Sequence, residues 1–299
     1  MSGPSREAAA FASGFGAPRR SPRRRRDQPR AHESRVLTHL RQLLRYRALI
    51  SALVARELKA RYRGSVLGFL WSFVNPLLLL LIYNFVFTKV MPGARGDDLE
   101  PYALFLFCGL LPWTWFSSSL LESANVLIAG GNLIRKVMFP AEVLPMVTVI
   151  AGLVHYGLGL LVLAAFFVYY GHPVVAANIV WLPLVIGIQL ALTLGLSLLI
   201  AALTVHFRDL RDLLQNLLTL WFFGTPIIYP LSRAPESARW LLNLNPFTHL
   251  AVSYQDVLFR PAPFAGWRRL LIVGAGSLLV LVAGYAIFDR LRDTLAEEV

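Results

Sequence analysis

Apolar residues gather into six stretches, roughly Val66 to Thr88, Tyr102 to Leu121, Val143 to Tyr170, Val174 to Val205, Leu213 to Tyr229 and Leu270 to Phe288. None of them contains Asp, Glu, Lys or Arg. A spanning helix needs about 20 mostly apolar residues, so the pattern predicts an all-α, polytopic membrane protein with six transmembrane helices. Pumps and carriers driven by ion gradients usually need an ionisable side chain at membrane depth to couple to. Charge-free stretches therefore predict that energy enters from outside the bilayer, through a partner that hydrolyses ATP.

Two patterns precede the first stretch. Residues 1–35 are mostly Ala, Gly, Pro, Ser and Arg, with the run Arg19 to Arg26 broken only by Ser21 and Pro22. This composition predicts a disordered cytoplasmic tail, and without an apolar core directly after the basic run it is not a cleaved signal peptide. Residues 36–63 read as an amphipathic helix lying in the membrane interface. Leu49, Ile50, Leu53 and Val54 share one face, while Arg56, Lys59 and Arg63 share another. The basic stripe has two readings, a headgroup anchor or a contact for the phosphate of a lipid-linked substrate. Glu57 and Arg61 have the i, i+4 spacing of an ion pair.

Glycine and proline punctuate the rest. Gly64 and Gly68, four apart, read as a small-residue contact between helices. Asn75-Pro76 and Gly224-Thr225-Pro226 each predict a bend in a span, which makes the first and fifth spans candidates for lining a pathway. Between spans two and three, Gly130-Gly131 predicts a break, Asn132 a new cap and Pro140 a stop. The result is a short cytoplasmic helix, Asn132, Leu133, Ile134, Arg135, Lys136, Val137, Met138 and Phe139, whose apolar side chains suit docking.

The net charge of +12 changes the picture through its distribution: residues 1–63 hold 16 Lys and Arg against 4 Asp and Glu, and residues 64–299 hold 13 of each. With six spans and positive charge inside, both termini are cytoplasmic. One segment disagrees. The external stretch from Pro230 to Arg269 carries Arg233, Arg239, Arg260, Arg268 and Arg269, and reads as functional surface. The basic tail suits anionic headgroups; no nucleic-acid partner is expected.

Candidate chemistry is sparse. The one cysteine, Cys108, excludes a disulfide framework, and no HExxH, CxxC or GxSxG pattern occurs. The three Lys follow Leu58, Thr88 and Arg135, so no P-loop is present. No catalytic residue, metal site or cofactor is expected on this chain. His155 reads as a packing residue. His249, with Asp256 as the nearest carboxylate, would be the starting point for a membrane-enzyme reading such as a glycan acyltransferase or polymerase.

Arg61-Tyr-Arg-Gly-Ser-Val-Leu-Gly-Phe-Leu-Trp71 with Asn75-Pro76, the Asn132 to Pro140 segment, Arg208-Asp209-Leu210, Thr225-Pro226-Ile-Ile-Tyr-Pro230 and Asn245-Pro246-Phe-Thr-His249 together resemble one family. It is the membrane subunit of type-2 ABC exporters, in the branch that exports O-antigen, teichoic acid and capsule polymers. The resemblance runs from about Tyr46 to the carboxyl end. It implies a homodimer in the bacterial cytoplasmic membrane, docked on two copies of an ATPase subunit that holds ATP and Mg. It implies a coupling helix over Asn132 to Phe139, a gate helix over Tyr46 to Arg63, and a partly re-entrant pair of short outer helices over about Glu236 to Phe259. It also implies an aromatic-lined glycan path, for which Trp71, Phe73, Trp221, Phe222, Phe223 and Tyr229 are the candidates by position, with Asn75 at the bend of the first span as a further pathway candidate. A drug or lipid exporter of the same superfamily is the alternative within the transport class.

Overall fold

Four of the six charge-free runs become helices of 25 residues or more. In the computed structural model, which describes residues 46–61, 63–90, 99–136, 140–207 and 209–298, α1 is Arg47–Arg61 and α2 is Trp71–Phe85, extended by a π-helical turn, Val86–Val90. Then come α3 (Tyr102–Lys136), α4 (Val143–Tyr170), the single turn α5 (Ala176–Ile179) and α6 (Leu182–His206). The chain continues with α7 (Leu210–Phe223), α8 (Glu236–Leu244), α9 (Pro246–Leu258) and α10 (Trp267–Glu298). The described residues contain no strand. The expected disorder of residues 1–35 and the helical reading of 36–45 lie outside the described residues.

Local chemistry sets several boundaries. Gly171 adopts φ 62, and the N–H groups of Gly171 and His172 donate to Val168 O and Phe167 O, closing the last turn of α4. Proline opens both α6 and α9, where the missing N–H would have had no helical partner. At the start of α9 the Asn245 side chain accepts from Phe247 N at 2.9 Å, an N-cap.

α3 is the central element. Leu104, Phe105, Leu106 and Phe107 are all buried, and four consecutive buried positions require neighbours on every side of a helix. The helices packed around α3 are α2, α4, α6, α7 and α9. α6 packs along α10 at close range because both are glycine at the crossing: a Cβ on Gly195 would lie 2.6 Å from Leu281 Cα, and one on Gly284 would strike Gly195 O. Sequence reasoning passed over this pair.

Four segments, Tyr102–Gly131, Val143–Tyr170, Ala176–His206 and Trp267–Leu291, are long and apolar enough to cross a membrane. α2 is a shorter apolar helix. The fifth predicted span takes another form. α7 stops at Phe223, Gly224 caps it, and residues 224–230 run as turns, so Gly224-Thr225-Pro226 ends a helix instead of bending one. Gly64 (φ 81) and Gly68 (φ 50) are turn residues with open space beside them, not a helix contact. The predicted break at Gly130-Gly131 is also absent. α3 runs through both glycines to Lys136, and a Cβ on Gly130 would lie 2.6 Å from Leu144 Cδ1, so this glycine admits α4. Asn132 to Lys136 therefore extend α3, while Val137, Met138 and Phe139 lie outside the described residues.

Candidate functional site

Two adjacent bands on α3 look in different directions. Trp113 and Phe116 face an aromatic cluster, whereas Leu111, Thr114, Trp115 and Ser118, at helical spacing, face a cavity of about 420 Å³. The cavity also takes Arg61 from α1, Ser65 from the turn, Trp71, Ser72, Asn75 and Pro76 from α2, and Gly152, His155 and Tyr156 from α4.

Each wall has a structural reason. Pro76 sits inside α2 and has no N–H to close on Ser72 O; the cavity opens at this turn. Trp71 is steered by its Nε1, which donates to Ser65 Oγ at 2.9 Å. Trp115 donates to Val149 O at 3.0 Å and stacks on Tyr156 at 5.3 Å between centroids. Gly152 leaves room for that indole, since a Cβ there would come within 2.7 Å of Trp115 Cδ1. His155 Nδ1 sits 2.9 Å from Ala151 O. The lining thus combines flat aromatic faces with hydroxyl, amide and imidazole groups. Such a site can accept a ligand that has both C–H faces and hydroxyls.

At the mouth, Arg61 pairs with Glu122 of α3. The expected partner was Glu57, but Arg61 is the last residue of α1 and reaches across to α3 instead. α1 lies against α4 through Leu53 and Val54, with Leu49, Ile50 and Leu58 packed beside them, as its apolar face predicts. Arg56 and Lys59 are exposed on the other side. Arg63 falls past the helix end in a turn, so the helical stripe is Arg56 and Lys59 only.

The remaining pathway candidates do not join this cavity. Trp221 and Phe222 belong to the cluster with Trp113, Phe116 and Phe247. Trp221 Nε1 donates to Asn245 Oδ1 at 2.7 Å, and Asn245 Nδ2 donates to Thr225 Oγ1 at 2.9 Å and Gly224 O at 3.2 Å. Thr225 Oγ1 in turn donates to Trp221 O at 2.7 Å. Asn245 is thus the hub joining the end of α7 to the start of α9, a packing role that gives the Thr225-Pro226 and Asn245-Pro246 motifs a shared cause. Phe223 is exposed, Tyr229 donates to Phe223 O at 3.1 Å, and Phe73 is half-buried on α2 without facing the cavity. Of the seven candidates, Trp71 and Asn75 line it. Ser65, Ser72, Thr114, Trp115, Ser118 and Tyr156 were missed; the Leu111-Thr114-Trp115-Ser118 spacing on a charge-free helix was the available signal. His249 Nε2 sits 2.8 Å from Asn243 O, and no group of three or more His, Cys, Asp or Glu able to hold a metal occurs among the described residues.

The chain matches the family described as ABC-2 type transporter over residues 48–259. It is 44% identical over 264 residues to the O-antigen export system permease protein RfbA of Myxococcus xanthus, covering 87% of this chain and 98% of that protein. The Klebsiella pneumoniae protein of the same name is 32% identical over 249 residues, 83% of this chain and 94% of its own. The polysialic acid transport protein KpsM of Escherichia coli is 23% identical over 251 residues, 82% and 94% of the two chains. A family match over residues that include α1 through α9, with relatives covered almost end to end, places this protein in the ABC-2 type transporter family as a membrane permease.

Proposed function

We propose that this chain is the membrane-spanning permease of an ATP-driven exporter that moves lipid-linked polysaccharide across the cytoplasmic membrane. The observation that carries this reading is similarity over more than four-fifths of the chain to proteins named for O-antigen export and polysialic acid transport. The cavity supports it, because a hydroxyl-rich polymer needs hydrogen-bonding side chains at a depth where a lipid or drug would need few.

In this reading the permease works as a homodimer on two ATPase subunits, which bind ATP and Mg; this chain supplies no cofactor. At about 1.5 Å per residue, the 35 residues of α3 span roughly 50 Å, well beyond a hydrocarbon core of about 30 Å. Its far end, Asn132 to Lys136, with Val137, Met138 and Phe139 following, is the coupling element. α2 with its π turn and α7 with the turn that follows are the two further crossings, giving six. That puts both termini in the cytoplasm, with α8 and α9 partly re-entrant on the outer side. Arg56 and Lys59, with Arg63 beside them, meet the substrate phosphate or neighbouring lipid headgroups.

The test is reconstitution of the permease with its ATPase in vesicles, with lipid-linked glycan added. Ser118→Trp, which fills the cavity, should abolish glycan-stimulated hydrolysis while basal hydrolysis persists. Undiminished stimulation would show that the substrate does not use this cavity.

A further inference from the structure

Four of the five arginines that break the charge rule separate into two groups. Arg239 is structural: its guanidinium donates to Ala234 O at 2.9 Å and Ser232 O at 2.7 Å. Arg260, Arg268 and Arg269, from the end of α9 and the start of α10, converge instead on a second cavity of about 380 Å³.

That cavity is built. Asp256 receives Arg269 at 2.7 Å and Arg260 at 3.2 Å, fixing both guanidiniums. Arg268 lies over the Trp267 ring at 5.2 Å and has no carboxylate partner among the described residues. The loop beneath is pinned by buried Asn178, which donates to Ala262 O at 2.8 Å and accepts from Phe264 N at 3.0 Å. Gly266 completes the wall, since a Cβ there would come within 2.7 Å of the Arg269 guanidinium. Arg260 and Arg269 are thus gathered on Asp256 before any ligand arrives.

Three guanidiniums against one carboxylate leave two positive charges, and guanidinium forks match phosphate oxygens. The apolar run of α10 begins at Leu270, directly after Arg269, which sets the cluster at headgroup depth. It is also at the Tyr102 end of α3, where Phe259 meets Phe105, and Glu122 lies about 25 Å farther along that helix. We propose that Arg260, Arg268 and Arg269 form a binding site for a lipid-borne phosphate on the membrane face opposite the one that α1 occupies. Placing that face outside the cell rests on the proposed topology; the phosphate chemistry does not. The phosphate comes from either of two sources, an anionic bilayer lipid or the pyrophosphate of the exported lipid-linked glycan.

Native mass spectrometry of the full-length chain in detergent separates these sources, using undecaprenyl pyrophosphate, phosphatidylglycerol and zwitterionic phosphatidylcholine as probes. The double variant R260Q/R268Q should lower the bound fraction by on the order of tenfold for one or both anionic lipids. Arg233→Gln, outside the cluster, should leave binding unchanged. Loss for undecaprenyl pyrophosphate alone identifies the exported lipid; equal loss for both identifies the bilayer headgroup. Arg268→Gln, which breaks no ion pair, decides if the double variant misfolds. Unchanged binding of both anionic lipids in a folded variant would overturn the site. A cysteine at Ala265, labelled from outside intact cells, tests the topology separately.

Discussion

Arg61, the last residue of α1, is ion-paired with Glu122 on α3. The pair ties the only helix that lies before the first apolar stretch, among the described residues, to the central helix of the bundle, at the mouth of the 420 Å³ cavity. Because both side chains are partly exposed, the pair contributes about 1 kcal/mol, roughly a fivefold shift between a closed and an opened α1. Under the proposed export function, a pair this weak would serve as a latch that the transport cycle releases.

The first prediction concerns this latch. Glu122→Gln should free α1, raising basal ATP hydrolysis of the reconstituted complex about fivefold and increasing cross-linking between cysteines placed on α1 and outside α4. The charge swap R61E/E122R should restore wild-type behaviour. A swap no better than the single variant would show that the two side chains do not act as a pair.

Asn245 offers a stability prediction. Asn245→Ala removes the α9 cap and leaves Trp221 Nε1 and the Gly224 carbonyl without their partner, a combined cost of about 2–4 kcal/mol. Thermal unfolding in detergent should show a clear fall in Tm. Asn245→Asp keeps the acceptor for Trp221 and Phe247 and should lose less. Phe223→Ala, at an exposed position, should stay within about 0.5 kcal/mol of wild type.

The contact of α6 with α10 predicts a size limit. Gly195→Val places branched carbons where Leu281 backbone lies, and backbone cannot swing aside as a side chain tip can. The overpacking costs about 1–3 kcal/mol or more, seen as a lower yield of folded protein. Gly187→Val, with open space beside it, should be tolerated.

Much of the fold was legible in the sequence, and the errors share a cause. Continuous charge-free runs identify α3, α4, α6 and α10 because membrane crossing demands length and apolarity, both of which are local properties. Glycine is ambiguous by comparison. Gly64 and Gly68 serve turns at positive φ, whereas Gly130, Gly152, Gly195 and Gly284 serve close approach inside helices. The sequence shows the missing Cβ in each case but not the neighbour that requires it, so Gly130-Gly131 read as a break and Gly195 with Gly284 went unnoticed. The site divides similarly. Asn75 stands beside a proline and lines the cavity with Trp71, whereas Trp221 and Phe222, named with Trp71 through the family resemblance, pack elsewhere, because an aromatic in a span looks the same whether it faces a cavity or the hub built by Asn245.

The coupling reading leads to a further prediction. Gly131→Pro interrupts α3 just before Asn132 and should break the extension at a cost of about 3 kcal/mol. The permease should still insert, yet it should no longer co-purify with its ATPase. Leu133→Ala together with Phe139→Ala should weaken the same association without affecting α3. Normal co-purification of both variants would remove this segment from the ATPase interface.

Export itself is measured most directly in cells that lack this chain, by exposing spheroplasts to a membrane-impermeant lectin against their polysaccharide. We expect the lipid-linked polymer to accumulate inaccessible on the cytoplasmic side. Wild-type protein should return it to the outer face, and Ser118→Trp, though inserted and bound to its ATPase, should not. Polymer reaching the outer face at full level without the chain would contradict its role as the export permease.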